Sequence, residues 1–483
     1  MKLFYINIFV LFALLGFCAC DDGDSFSVSP GNLLTFQSDT ISLDTVFSTV
    51  PSSTRSFWVY NKSGDGLRCT SVRLEGGNQS GFRVNVDGAY LSPEQGYKVN
   101  DIEVRNKDSV RVFVELTSPA NMKSGPHKLE DNLVFELESG KQQKVALKAW
   151  SWDAQFVRNL TVSRDTLLTQ ESGGKPIVVY GKITVEEGAT LTVGAGTTLY
   201  FHGDAGIDVS GRLVCKGTAD ENIVMRGDRL DYMFDYLPYD RMSGQWQGIR
   251  LRETSYDNEI EYADIHSTFN GIQIDSSDVS RQTLRLANSI VHNCQGNAVR
   301  TENSRVSIEN CQLTNALGDC LAVEGGDVYV NNSTLAQFYP FDSSRGSALY
   351  FSGVSYPLVS FCCANTLVTG YADDVLTGGK PGDDSGHAFN YGFTNCIIRT
   401  PEVGEAEKEN FSDVVFEDVK DTVSLGSKHF QCVDGDKQLY DFHLRKESAA
   451  IDKANPETAA HTDRDGRERD EAPDIGAYEY IKE

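Results

Sequence analysis

The residues in this sequence most able to do chemistry are carboxylates set close to a histidine. The loop Gly378-Gly379-Lys380-Pro381-Gly382-Asp383-Asp384-Ser385-Gly386-His387, preceded by Asp373-Asp374, places two adjacent carboxyl groups near an imidazole. Such a set can divide the work of hydrolysis: one acid protonates a leaving oxygen while a base activates water. The plainer account of an acidic, glycine-rich stretch is a solvated loop. A second set lies at equivalent positions of a repeat described below, where Glu261, Arg285, Ser307 and Tyr329 follow one another. Glu261 beside Arg285 would position a uronate and Tyr329 would act as base, although a surface ion pair explains the first two equally well. By the same spacing His266 and His292 fall two and four residues beyond their polar positions, in different registers, and do not make an acid/base pair. A third set, Asp463, Asp465 and Asp474, offers hard oxygen donors to calcium, the one cofactor the residues raise, but without EF-hand spacing. No Cys-x-x-Cys pair or Cys/His cluster has the spacing of a zinc site.

The elements that must carry these residues are short strands. From Ile183 onward, Ile183-Thr184-Val185, Leu191-Thr192-Val193, Leu199-Tyr200-Phe201, Ile207-Asp208-Val209 and Leu213-Val214-Cys215 put apolar pairs a few residues apart with glycines between. The period then lengthens. Ile260, Leu284, Val306 and Val328 each open an apolar-x-apolar-x-polar pattern in steps of 24, 22 and 22 residues, with Asp264, Asn288, Asn310 and Asn332 at the polar position. A second strand per coil is read at Gly248–Leu251, Gly271–Ile274, Ala298–Val299, Cys320–Val323 and Ala348–Phe351. Two strands per period of about 22 residues, with no helical 3.6 pattern, select a parallel β-solenoid over leucine-rich or helical repeats. Asn288, Asn310 and Asn332 are expected to stack as an amide ladder that stabilises the coils.

Residues 217–225, Gly-Thr-Ala-Asp-Glu-Asn-Ile-Val-Met, resemble a segment common in bacterial right-handed β-helix proteins. The stretches 449–452, 463–467 and 474–479 resemble the closing segment of many of them, which implies a cap. The resemblance implies an all-β chain with a right-handed parallel β-helix over 155–400 and a C-terminal coil and cap over 401–483. Proteins of this fold include pectate and alginate lyases, polygalacturonases, adhesins and non-catalytic proteins, so the fold alone chooses no activity. The Gly-Asp-Asp element at 382–384 is similar to that of inverting polygalacturonases, but the Gly-His-Gly and Arg-x-Lys elements do not follow.

Upstream, alternating segments such as Val110–Leu116, Leu133–Leu137 and Val145–Ala149 argue for an antiparallel sandwich over 32–152. Phe57 to Val72 with Gly81–Val84 resembles immunoglobulin-like domains of bacterial surface proteins, which implies a spacer or docking platform. Lys2 and the apolar run Leu3–Phe17 read as an export signal, residues 1–20. Cys18-Ala19-Cys20 resembles the bacterial lipobox, which implies lipidation at Cys20, and the acidic tether 21–31 resembles the surface-export signal of Bacteroidota lipoproteins. Cleavage by ordinary signal peptidase is the alternative. The implied location is the outer membrane, lipid-anchored and facing the cell exterior.

Lys and Arg total 44 against 69 Asp and Glu, and the net charge of −25 argues against nucleic acid as a partner. A polyanionic ligand would need a local basic cluster or a divalent cation. Of eleven cysteines, most outside the signal are read as small buried hydrophobes. Aromatic residues Tyr232, Phe234, Tyr236, Tyr239 and Trp246 in one insertion, and Tyr339, Phe341 and Tyr356 in another, would either stack sugars or pack beneath their loops. Three functions stay open: polysaccharide binding, polysaccharide cleavage by a lyase or hydrolase, and an adhesive or envelope-structural role.

Overall fold

The computed structural model describes residues 25–123, 125–170, 174–421 and 426–481. The export signal, Cys20 and the start of the tether lie outside the described residues. The chain divides into two compact units, 1–153 and 154–483.

In the first unit, alternation of apolar and polar residues along most strands builds two five-stranded sheets around one core. Arg55–Asn61 and Ser109–Leu116 centre one sheet, and Gln142–Trp152 and His127–Leu137 centre the other. Phe57, Val59, Val112 and Val114 from the first face Phe135, Val145 and Leu147 from the second across that core. One pairing departs from the antiparallel expectation: Gln142–Trp152 runs parallel to Thr40–Phe47, because the last strand of the unit returns beside an early one in the same direction.

The second unit is a parallel β-solenoid in which each full coil contributes three strands, not two. In one coil, Ile290–Cys294, Val299–Glu302 and Arg305–Glu309 lie on what we call the first, second and third faces. Each strand pairs in parallel with its counterpart in the next coil, as Val306 does with Val328 and Ile308 with Val330. Inward residues are apolar and fully buried, while Arg305, Ser307 and Glu309 between them face out. Face one escaped the sequence pattern because its outward positions are His292, Gln312 and Thr314, which break an otherwise apolar run.

Register supplies the main correction. Ile260 pairs with Leu286, not Leu284, and the loop 275–281 absorbs the additional residues. Tyr262, with φ +47°, therefore occupies the turn that Asn288, Asn310 and Asn332 occupy in later coils at φ +47°, +52° and +42°. Asp264 lies two residues further, on face one. This left-handed turn favours Asn, whose short side chain tolerates the conformation and bonds locally.

Asn310 Nδ2 donates to Asn288 Oδ1 at 3.1 Å, which is one rung of an amide ladder. Asn332 instead accepts from the Ala460 amide at 2.8 Å, and Asn310 Nδ2 also donates to the Thr462 carbonyl at 2.7 Å. These turns thus dock the C-terminal segment. Bonds from the Asn455 amide to Asn365, from Asn331 to the Thr458 carbonyl and from Arg464 to Asn222 carry it back along the solenoid axis. Rather than closing an end, the segment covers outward residues of face one: Ala336, Leu367 and Ile397 pack against Phe430, Phe442, Ile475 and Ala477.

Six cysteines, Cys215, Cys294, Cys311, Cys320, Cys363 and Cys396, are buried in the solenoid core. Burial pushes the Cys215, Cys294 and Cys311 thiols up to about 12, so they stay protonated and pack as small hydrophobes.

Candidate functional site

Face one is flanked on two sides in its middle coils. Between the strands ending at Gly227 and starting at Ile249, the chain makes an excursion with a short hairpin at 232–238 and a single turn at Tyr239–Arg241. On the other side stands the hairpin Phe430–Asp434 with Leu439–Leu444. Between them lies a cleft of ≈ 550 Å³ whose floor includes Asp264, His266, His292, Gln312 and Asn315. Asp240 and Arg241 supply one wall, and Tyr440, Asp441, His443 and Tyr478 the other.

The corrected register brings His266 and His292 together. They are direct partners in adjacent parallel strands, with ring centroids 4.8 Å apart. Asp264 Oδ1 is 2.9 Å from His266 Nδ1 and 3.2 Å from His292 Nε2. His266 Nε2 is 2.9 Å from Asp240 Oδ1, and Arg226 Nη1 is 2.9 Å from that same oxygen. The coil below is fixed by Trp246, fully buried and stacked on Phe201 at 4.1 Å, whose Nε1 donates to the His266 carbonyl at 2.8 Å. That tryptophan belongs to the core and not to a sugar-stacking wall.

Burial alone would push the His266 imidazolium pKa down. Asp264 and Asp240 outweigh it and raise the group to about 9. Burial likewise pushes the Asp264 carboxyl up, but His266 and His292 hold it well below the usual carboxylate range. At neutral pH Asp240, His266 and Asp264 form a chain of alternating charge, and Asp264 also holds His292 by a hydrogen bond. On the far wall, the hydrogen bond to Asp465 raises His443, against burial and with help from Asp441. Asn315 is buried, yet neither atom of its amide has a hydrogen-bond partner among the described residues. A buried amide left unpaired costs on the order of 1–3 kcal/mol.

The other candidates lie apart from this cleft. Asp383 and Asp384 are exposed in a loop after the second-face strand Leu376–Gly379, and His387 Nδ1 bonds the Gly353 carbonyl at 3.0 Å. Arg285, Ser307 and Tyr329 do follow one another on the third face, but Glu259, not Glu261, is opposite Arg285, 3.7 Å away. Glu261 accepts from Asn288 Nδ2 at 3.3 Å. The Asp463 carboxylate accepts from the amides of Asp465, Arg467 and Glu479, and Asp474 from those of Asp452 and Tyr480. Asp465 pairs with His443 at 2.9 Å. These aspartates brace the C-terminal segment. Among the described residues, the group of three with metal-ligand spacing is Asp264, His266 and His292. A signal for it existed in the sequence: Ile265, Val291 and Leu313 recur at the true steps of 26 and 22, with a histidine one residue after each of the first two.

Residues 175–364 match the family model described as the right handed beta helix region. The second unit is accordingly a right-handed parallel β-helix, preceded in an all-β chain by the two-sheet unit. No curated protein matches the chain. Among solved structures, it is similar to the Vibrio cholerae VesB protease at 13% identity over 25% of this chain and 32% of that one, TM-score 0.17. The chain thus spans about a third of the protease. It is also similar to the pectate lyase Pel9A, at 12% identity over 68% of this chain and 88% of that one, TM-score 0.27. The GH87 alpha-1,3-glucanase of Streptomyces thermodiastaticus strain HF3-3 matches at 9% identity over 74% and 89%, TM-score 0.24. Likenesses at these scores carry no argument about activity.

Proposed function

We propose that this protein binds a polysaccharide in the cleft over face one of its β-helix. The observation that carries this reading is the cleft's lining: imidazoles and carboxylates lie among the Tyr440 and Tyr478 side chains, with the buried Asn315 beneath them. Hydroxyl-rich ligands are held by such mixed donors and acceptors in pockets of this size. With a net charge of −25, a neutral glycan suits the cleft better than a uronate polymer. In this reading Cys20 carries a lipid anchor at the outer membrane, the acidic residues after it direct display to the exterior, and an immunoglobulin-like first unit spaces the helix from the membrane.

The second reading is cleavage of the same ligand by a lyase or hydrolase. It is favoured by the bond from Asp264 to His292 Nε2, which orients an imidazole at the cleft as an acid or base. Affinity electrophoresis on a panel of neutral and acidic polysaccharides, with and without calcium, tests both when reducing ends and unsaturated uronates are also measured. Retention by one glycan that is lost in Asn315→Ala and kept in Asp384→Ala is the expected result. Product formation abolished in His292→Ala makes the protein an enzyme. Absence of retention on every glycan, or retention indifferent to Asn315→Ala, refutes the placement.

A further inference from the structure

We infer that Asp264, His266 and His292 form a site for a divalent transition-metal cation of the zinc class, an inference that does not depend on the carbohydrate reading. One ligand atom from each residue lies within 4.8 Å of the other two. Asp264 Oδ1 stands 2.9 Å from His266 Nδ1 and 3.2 Å from His292 Nε2. Ligands about 2.0–2.1 Å from a tetrahedral zinc stand about 3.3 Å from one another, a spacing that both Asp264–histidine distances approach, and rotation of the imidazoles brings the His266–His292 pair, within 4.8 Å, to it. Two imidazole nitrogens and one carboxylate oxygen suit zinc and its neighbours, whereas calcium and magnesium take oxygen cages.

A second observation points the same way. His266 Nε2, the nitrogen turned away from Asp264, is 2.9 Å from Asp240 Oδ1. A carboxylate on the far nitrogen of a ligating histidine fixes its tautomer and increases its basicity, and metal centres use this arrangement repeatedly. Arg226, 2.9 Å from that carboxylate oxygen, balances Asp240 and keeps it an orienting acceptor instead of a fourth ligand. The ligands sit on paired strands of adjacent coils, so the β-helix itself preorganises them. Three protein ligands leave a coordination position open, which is the pattern of catalytic sites and not of closed structural ones. That position opens on the cleft, which Asn315 and Gln312 also line.

The competing arrangement is a metal-free triad held by hydrogen bonds, and stoichiometric uptake separates the two. The purified full chain, stripped with a chelator, is titrated with zinc chloride by calorimetry and its metal counted by mass spectrometry, with cobalt(II) absorption reporting coordination. One equivalent per chain is expected, with an excess of calcium chloride failing to displace it. His292→Ala is expected to weaken uptake by at least about 100-fold, and Asp240→Asn by about 10–100-fold at unchanged stoichiometry. His387→Ala, in the distant loop, leaves it unaltered. His292→Gln, which keeps side-chain bulk, serves if the alanine variant does not fold, and circular dichroism checks each variant. No stoichiometric uptake, uptake that survives both His292 variants, or uptake abolished by His443→Ala in place of His292→Ala overturns the assignment.

Discussion

Acid should loosen the wall of the cleft before it melts the β-helix, and Glu417 is the residue through which it acts. The Glu417 side chain is only 2% exposed. Its Oε1 is 2.9 Å from His429 Nε2, and its Oε2 accepts from Thr369 Oγ1 at 2.6 Å. His429 in turn bonds Ser448 Oγ at 2.8 Å, so one carboxylate ties face one to both ends of the hairpin that walls the cleft. Burial pushes the Glu417 carboxyl up, but His429 and Thr369 outweigh it and hold the group at about 2 against an ordinary 4.5. A depressed carboxylate contributes stability that is complete above the unfolded value, and it is lost as pH falls from about 4.5 towards about 2. At 1.36 kcal/mol per pKa unit the contribution is about 3 kcal/mol, similar to the cost of breaking a buried pair. Hydrogen exchange of residues 430–444, corrected for intrinsic rates, reads this locally. Protection at pH 7 should fall by about two powers of ten in Glu417→Gln, and the gap between variant and parent should close between pH 4.5 and 2. A gap that stays constant over that range, or a variant with parental protection at pH 7, refutes the reasoning.

Other expectations follow from packing and conformation. Native protein treated with a thiol reagent should label at exposed Cys362 and spare Cys215, Cys294 and Cys311, whose thiols are pushed up to about 12; mapped modification at Cys294 in folded protein would contradict this. Asn310→Ala removes bonds to Thr462 and Arg469 and puts a β-carbon at φ +52°, so denaturant melts should show a loss of about 1–3 kcal/mol, part of which Asn310→Gly restores. Gly248→Ala places a methyl 1.5 Å from the Asn270 carbonyl oxygen at φ +92° and should abolish soluble folded protein, which a solubility assay and circular dichroism measure.

The fold was legible because the third face writes its inward residues plainly. Val306-Ser307-Ile308 and Val328-Tyr329-Val330 alternate without interruption and recur at the coil length. The site was not legible for the same reason. On face one the strand Ala263–His266 buries Ala263 and Ile265 but carries Asp264 and His266 between and after them, and this polar pair reads as turn rather than strand. Counting from Leu284 instead of Leu286 then set His266 and His292 in different registers, an error of two residues that keeps the inward and outward sense and so raises no conflict in the pattern. The contacts made by residues 448–480 were invisible for a different cause. They join Asn222 to Arg464 and Asn365 to Asn455 across long stretches of chain, and no local periodicity encodes such pairings.

Enclosure explains why face one, and not the better-aligned third face, concentrates perturbed groups. Arg285 and Tyr329 stand on an open sheet, where water screens a charge and a 3.7 Å contact with Glu259 is worth little. On face one, the 228–247 excursion and the C-terminal hairpin remove that water from two sides. Asp264 and His266 then depend on each other and on Asp240 for the solvation they have lost, which is what separates their pKa values from ordinary ones. The same walls that shift these groups define the cleft, so removing the hairpin's anchor at Glu417 should both open the cleft and relax His266 towards its usual range. An imidazole titration of His266 followed by NMR in Glu417→Gln would show the link as a pKa lowered from about 9, and an unchanged value would mean that Asp264 and Asp240 set the group without help from the wall.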